Sequence, residues 1–231
     1  MRLDKLLVEL NIGTRSEVKA LLKKGLIFVD GQKRTKPEEK VDENAVVVNY
    51  QGRDYSFVKY RYYVMNKPAG LITATTDSKD KTVMDLFYEK VKDGPSDLFP
   101  VGRLDRDTTG LLLITNDGQL AHDLLSPKKH VDKTYLVTVD QALTDEDVKA
   151  LENGVRIGEG ELTAPAKVEY EGGQNCKITI HEGKFHQVKR MFFAVGKEVL
   201  ALKRTGFGPL TLDEDDLPQG YINELKRESF Y

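Results

Sequence analysis

Leu3, Leu6, Leu7 and Leu10 recur at the three-and-four spacing of one helical face, and Asn11-Ile12-Gly13 ends the run. A second helix is predicted from Thr14, with Glu17 three residues on completing a capping box. Val18, Leu21 and Leu22 form its apolar side, and Gly25 is placed to stop it. LIFVDGQK reads as a strand running into an Asp30-Gly31 turn, and VVVNY supplies another strand after a polar stretch containing Pro37. Residues 51–59, QGRDYSFVK, are polar and mixed and read as a linker.

Beyond the linker the periodicity alternates. YRYYVMN reads as a strand and VMDLFYEKV as a helix. PVGRLD and GLLLITND read as paired strands, followed by a helix over GQLAHDLL. KTYLVTVD is a strand, and TDEDVKALENG a capped helix closed by Gly154. VRI, KVEYE and CKITIHEG are strands. FHQVKRMFFAVG is a helix with Val188, Met191, Phe192 and Val195 inward, and VLALKR and PLTLD end the series as strands. Many strands with few helices between them predict an α+β fold with a largely antiparallel sheet. The expected division is a small domain with its linker over 1–58 and a larger one over 59–231.

Composition narrows the class. Hydrophobic residues make up 39% of the 231, enough for a real core. The single cysteine, Cys176, excludes an internal disulfide and a cysteine-cluster metal site, and fits a reducing compartment. MRLDKLLVEL is charged and amphipathic rather than signal-like, and no run approaches the ~20 apolar residues of a membrane span. The expected address is the cytoplasm, with no membrane partner.

The formal net charge, −2, argues by itself against a nucleic-acid partner. Its distribution changes that picture. Residues 1–36 hold nine Lys/Arg against four Asp/Glu, or +5, and residues 177–204 hold seven against two, again +5. Residues 205–231 hold two against six, or −4. Local patches rather than the total set the footprint for a polyanion. Arg15, Lys19 and Lys23 are spaced four apart, so they share the helix face opposite Val18 and Leu22.

Candidate chemistry is mostly defined by what is missing. There is no GxxxxGK[ST] loop, the glycines around Gly158 do not complete a dinucleotide fingerprint, and no GxSxG elbow supports a serine nucleophile. His122, His130, His181 and His186 lack metal-ligand spacing, so no metal site is expected. What remains is carboxylate chemistry near cations. Asp105 lies between Arg103 and Arg106, which favours its ionised, nucleophilic form. Asp107, two residues on, reads as the partner of an arginine.

RLDKLLVELNIGTRSEVKALLKKGLIFVDGQ resembles the small RNA-binding module shared with ribosomal protein S-four. That resemblance implies RNA contacts for Arg15, Lys19, Lys23, Lys24, Lys33 and Arg34. GRLDRDTTGLLLITNDG resembles the catalytic motif of the pseudouridine synthases. VMNKPAG at 64–70, KTYLVTV at 133–139, LTAPAKVE at 162–169 and EGKFHQVKRMFFAVG at 182–196 are similar to the branch typified by the ribosomal small-subunit enzymes. The resemblance implies isomerisation of uridine within RNA to its carbon-linked form, without metal or organic cofactor. It makes Asp105 the catalytic aspartate and Tyr135 the tyrosine against the target uracil. It matches Lys189 to the basic partner of the aspartate, a position where relatives often carry arginine, so Lys189 and Arg190 both stand as candidates. Arg103 is implied as support for the flipped nucleotide and Lys67 as a phosphate contact. The expected partner is ribosomal RNA in a partly assembled small subunit, met by a monomer. The alternatives are a large-subunit site, a non-catalytic assembly factor, and a hydrolase using Asp105 and Asp107.

Overall fold

The computed structural model describes residues 1–43, 45–92, 94–158 and 160–230. The chain divides into two units, Met1–Lys59 and Tyr60–Tyr231. In the first, α1 (Leu3–Glu9) and α2 (Arg15–Lys23) precede β1 (Ile27–Val29), β2 (Gln32–Arg34), β3 (Val47–Tyr50) and β4 (Arg53–Ser56), which pair in the order β2-β1-β3-β4. Leu3, Leu6 and Leu7 close against Val18, Leu22, Ile27, Val29 and Val48, so the leucine spacing becomes a shared core. The capping box forms as expected, with Glu17 Oε2 accepting from the Thr14 amide at 2.7 Å and the Thr14 hydroxyl accepting from the Glu17 amide at 3.4 Å.

Asp30 and Gly31 both have positive φ, 48° and 74°, as a two-residue hairpin turn requires. The same conformation recurs at Gln51 and Gly52, with φ of 52° and 77°. It folds Arg53–Ser56 back on β3 as an edge strand, inside the stretch expected to be linker. Only Tyr55 of that strand is even partly buried, so its polarity hid it.

The second unit contains β5 (Tyr62–Lys67), α3 (Val83–Lys90), β6 (Phe99–Pro100), β7 (Thr109–Thr115), α4 (Gly118–Leu125) and β8 (Lys133–Val139). It continues with α5 (Asp145–Asn153), β9 (Arg156–Ile157), β10 (Glu161–Leu162), β11 (Lys167–Glu169), β12 (Asn175–Ile180), α6 (Gln187–Ala194), β13 (Val199–Phe207), β14 (Leu210–Thr211) and β15 (Ile222–Leu225). Among the described residues, nine strands form one sheet in the order β11-β12-β8-β13-β7-β5-β15, with β14 on β13 and β6 on β7. Every pairing is antiparallel except β13 with β7. This is the mainly antiparallel α+β class that the alternation predicts.

β5 and β7 are buried on both faces. Tyr63, Met65, Leu112 and Ile114 join one core with α3, α5 and α6, while Val64, Leu111 and Leu113 join a second with α4. Val188, Met191 and Phe192 face the first core as their spacing requires, and truncating a buried ring such as Phe192 costs about 3–5 kcal/mol. Cys176 lies in that core, where burial pushes its thiol up to about 11. Among the described residues no helix is long and apolar enough to cross a membrane.

PVGRLD is not a strand. Pairing with β7 stops at Pro100, apart from the Val101 amide donating to the Leu113 carbonyl, and the chain then loops to Thr109. At the far end of that loop Gly110, with φ of 100°, lies against β13, where an added Cβ would stand 2.2 Å from the Arg204 carbonyl oxygen. The Thr-Thr-Gly of the motif is therefore the seam at which the one parallel pairing is made.

Candidate active site

The loop from Val101 to Thr108 is fixed from beneath by main-chain contacts. The Asp105 carbonyl accepts from the Thr108 amide at 3.1 Å, forming a tight turn, and the Arg106 carbonyl accepts from the Gly70 amide at 2.8 Å. The buried Thr73 hydroxyl donates to the Leu104 carbonyl at 2.7 Å and accepts from the Leu104 amide at 3.1 Å. Lys67 lies under the same turn. Its Nζ reaches four carbonyl oxygens, of Pro68 (3.2 Å), Asp105 (3.1 Å), Arg106 (3.3 Å) and Thr108 (2.8 Å).

Lys67 was expected to contact phosphate, and the structure corrects this. The residue is fully buried at the end of β5, and its three ammonium protons are shared among those carbonyls, leaving none for an external anion. Burial pulls its pKa down to about 8, against the opposing pull of Asp107 and Asp105.

With its main chain held, Asp105 directs its carboxylate toward α6. Oδ2 lies 3.3 Å from Lys189 Nζ and Oδ1 lies 3.4 Å from His186 Nε2. Lys189 also meets Asp107, 2.6 Å from Nζ to Oδ1, and this hydrogen bond holds the Asp107 carboxyl below its ordinary range. One ammonium therefore bridges two carboxylates that leave the turn in different directions. The sequence neighbours behave otherwise than expected. Arg106 turns away to Asp80 at 3.1 Å, and Asp107 takes a lysine rather than an arginine. Asp105 is half-buried and reachable from solvent, its side chain 24% exposed.

The geometry separates Lys189 from Arg190. Arg190 donates to the Phe185 carbonyl at 3.0 Å and the Ile157 carbonyl at 3.1 Å, and pairs with Glu161 at 3.3 Å, so it ties the β9–β10 hairpin to α6. Arg103 is exposed in the loop two residues before Asp105, with no ion pair among the described residues.

Tyr135 is not an open platform in this structure. It is 8% exposed, in the core that also holds Leu104, and its hydroxyl lies near enough to the Arg204 guanidinium to favour its charge. Register places Tyr135 opposite Arg204, Arg204 opposite Gly110, and Gly110 opposite Lys67. These residues therefore form one row across the sheet. Arg204 is itself buried. Its Nε donates to the Leu111 carbonyl at 2.8 Å, its guanidinium lies 4.7 Å from the centre of the Phe207 ring, and its Nη2 has no hydrogen-bond partner among the described residues.

Sequence reasoning missed three contributors. His186 was weighed only as a metal ligand, although it lies three residues before Lys189, close enough in sequence for both to meet one carboxylate. Thr73 and Arg204 gave no local signal, because each acts on main-chain atoms far away in sequence.

In the first unit, Arg15, Lys19, Lys23, Lys24 and Lys33 are exposed and have no ion pair among the described residues. Lys33 folds its stem over Gly25, where an added Cβ would stand 2.0 Å from its Cε. That brings its charge to the C-terminal end of α2, beside Lys23 and Lys24, where the helix dipole favours cations. Arg34 differs from the rest of the set, being half-buried and paired with Glu39 at 3.1 Å.

Residues 61–194 match the RNA pseudouridylate synthase family, and residues 1–47 match the S4 domain. An RNA pseudouridine synthase of Bacillus subtilis is 46% identical, with 100% of this chain and 97% of the relative covered. A ribosomal small subunit pseudouridine synthase A of Vibrio cholerae is 41% identical over 96% of this chain and 94% of the relative. A ribosomal large subunit pseudouridine synthase B of Bacillus subtilis is 38% identical over 91% and 87%. The catalytic-family match covers the loop and the helix that meet at Asp105 and the strands from β5 to β12, and the chain belongs to the RNA pseudouridine synthase family.

Proposed function

We propose that this chain converts a specific uridine of ribosomal RNA, in a partly assembled small subunit in the cytoplasm, to pseudouridine, with Asp105 as the catalytic carboxylate. The observation that carries the reading is the pair of cationic and imidazole nitrogens, Lys189 and His186, on the two oxygens of a solvent-reachable carboxylate whose main chain is clamped. The Lys189 ammonium orients the carboxylate and balances its charge without consuming it. The target base has to leave its stack first, at a cost of a few kcal/mol. Asp105 then acts at the junction of ribose and uracil. The N1–C1′ bond breaks, a C5–C1′ bond forms, and one proton moves from C5 to N1. The balance needs no further reactant.

In this reading residues 1–58 hold the RNA through Arg15, Lys19, Lys23, Lys24 and Lys33, and residues 59–231 carry the chemistry. Arg103 supports the everted nucleotide and Tyr135 forms the floor beneath it, stiffened by Arg204. The resemblance of the motif blocks and the small-subunit relative favour small-subunit RNA. The alternative of a large-subunit target is supported by the relative named for that subunit.

The test is chemical mapping of pseudouridine in ribosomal RNA from a strain lacking the protein, complemented by wild type or by Asp105→Asn. Wild type restores one small-subunit position and Asp105→Asn does not, while the variant still binds RNA. Restoration by the variant at a near-normal rate ends the proposal, and a restored position in the large-subunit RNA selects the alternative.

A further inference from the structure

The turn leading into α6 carries an exposed aromatic ring beside the carboxylate. Phe185 is 75% exposed, yet its ring lies flat on that of His186, with centroids 3.9 Å and planes 17° apart. The same imidazole touches Asp105. A free phenylalanine gains by turning inward, since burial of such a ring is worth about 1.5–3 kcal/mol. Here the backbone forbids it. His186 is held in the left-handed region with φ of 46°, uncommon outside glycine, and such strain persists only where the surroundings fix it.

The surroundings do fix it. The Phe185 carbonyl accepts from Arg190 at 3.0 Å, the Lys184 amide donates to Gln187 Oε1 at 2.9 Å, and Lys184 Nζ donates to the Leu162 carbonyl at 3.0 Å. The turn is thus pinned to α6 and to the β9–β10 hairpin, with one ring face toward solvent. Phe193 is as exposed, at 80%, but no ring backs it, and it lies seven helical residues, about 10 Å, beyond His186.

We infer that Phe185 is the wedge of this enzyme: its free face takes the stacking position the target uridine vacates, against the neighbouring base, with His186 as backing. Proteins that unstack nucleic acid commonly insert an apolar side chain at the opened step. Stacking on an aromatic face is tolerant of which base follows, so the wedge supports eversion without reading sequence. The inference rests on Asp105 being the catalytic carboxylate, because the wedge is placed by its contact through His186.

The experiment measures single-turnover pseudouridine formation in two RNAs built around the mapped uridine. One holds it paired within a stem, and the other presents the same strand without its complement. Phe185→Ala and Phe185→Leu lose about tenfold on the stem and stay within about twofold on the single strand, the difference reflecting one lost base–aromatic stack. Phe185→Trp keeps near wild-type rates on both. Equal losses on the two RNAs, or a Leu variant as fast as wild type on the stem, overturn the wedge. Asp105→Asn is run alongside. If it retains activity, the reading of the site fails and the wedge falls with it, whereas an inert Asp105→Asn beside an unaffected Phe185→Ala removes the wedge alone.

Discussion

Two stretches of this chain carry the same formal charge, +5, and the fold uses them in opposite ways. In residues 177–204 all seven cations are engaged. Lys177 pairs with Glu169, Lys184 with Glu182, Lys189 with Asp105 and Asp107, Arg190 with Glu161, Lys197 with Asp147 and Lys203 with Glu214, while Arg204 is buried against Leu111 and Tyr135. Of the nine Lys/Arg in residues 1–36 only Arg2 and Arg34 have an ion pair among the described residues, and the helix stripe has none. A linear charge count measures attraction for a polyanion only where the charges remain unpaired after folding. Residues 1–36 leave most of their cations unpaired, as the RNA contact proposed for them requires, whereas those of residues 177–204 are taken up inside the fold, Lys189 on Asp105 among them.

That contrast can be broken in order of effect. Lys189→Met removes the bridge between the two carboxylates and is expected to slow pseudouridine formation about a hundredfold, the scale of a misplaced catalytic group, with the salt dependence of RNA binding unchanged. A parallel fall in the salt slope would show that Lys189 meets phosphate instead.

Lys67→Met leaves four carbonyls without their donor and is expected to cost about 1–3 kcal/mol of stability by denaturant titration. The wild-type pH dependence sharpens this. The folded pKa, about 8, lies below the ordinary 10.5, so between those values the unfolded chain binds more protons than the folded one. From this group alone stability rises with pH across that window. The catalytic rate falls over the same range, because the neutral amine holds the loop with one proton fewer. A rate that stays flat from pH 7 to pH 9.5, with loop chemistry rate-limiting, contradicts the clamp.

Arg15→Glu with Lys19→Glu removes the two phosphate contacts proposed for these residues, and the slope of log affinity against log salt is expected to drop by about 1–2. Turnover of a short saturating RNA stays as in wild type. Lys177→Ala, in the engaged stretch, gives the smallest effect. Its pair with Glu169 is solvent-exposed and contributes little to stability, and the salt slope is unchanged.

The elements with strong periodicity were legible. α4 spans the residues expected of it, and the inner face of α6 buries as its spacing requires. Elements defined by their partners were not. β4 and β15 are polar edge strands whose identity comes from β3 and β5. The loop around Asp105 reads as a strand locally because Val101 and Leu104 are apolar, but they point into separate cores. The site followed the same rule. Asp105 and Lys189 stand out by type and motif, whereas Lys67, expected to contact phosphate, is identified as a clamp only by the carbonyls that fold around it. Charge is visible in a sequence, and pairing is a property of the fold.

The clamp grips oxygens that every amino acid possesses. Lys67 therefore dictates the path of the turn without regard to what hangs from it, and Arg103 and Arg106 are at liberty to diverge. A turn assembled in this manner lets the rim be exchanged while the Asp105 carboxylate stays in register.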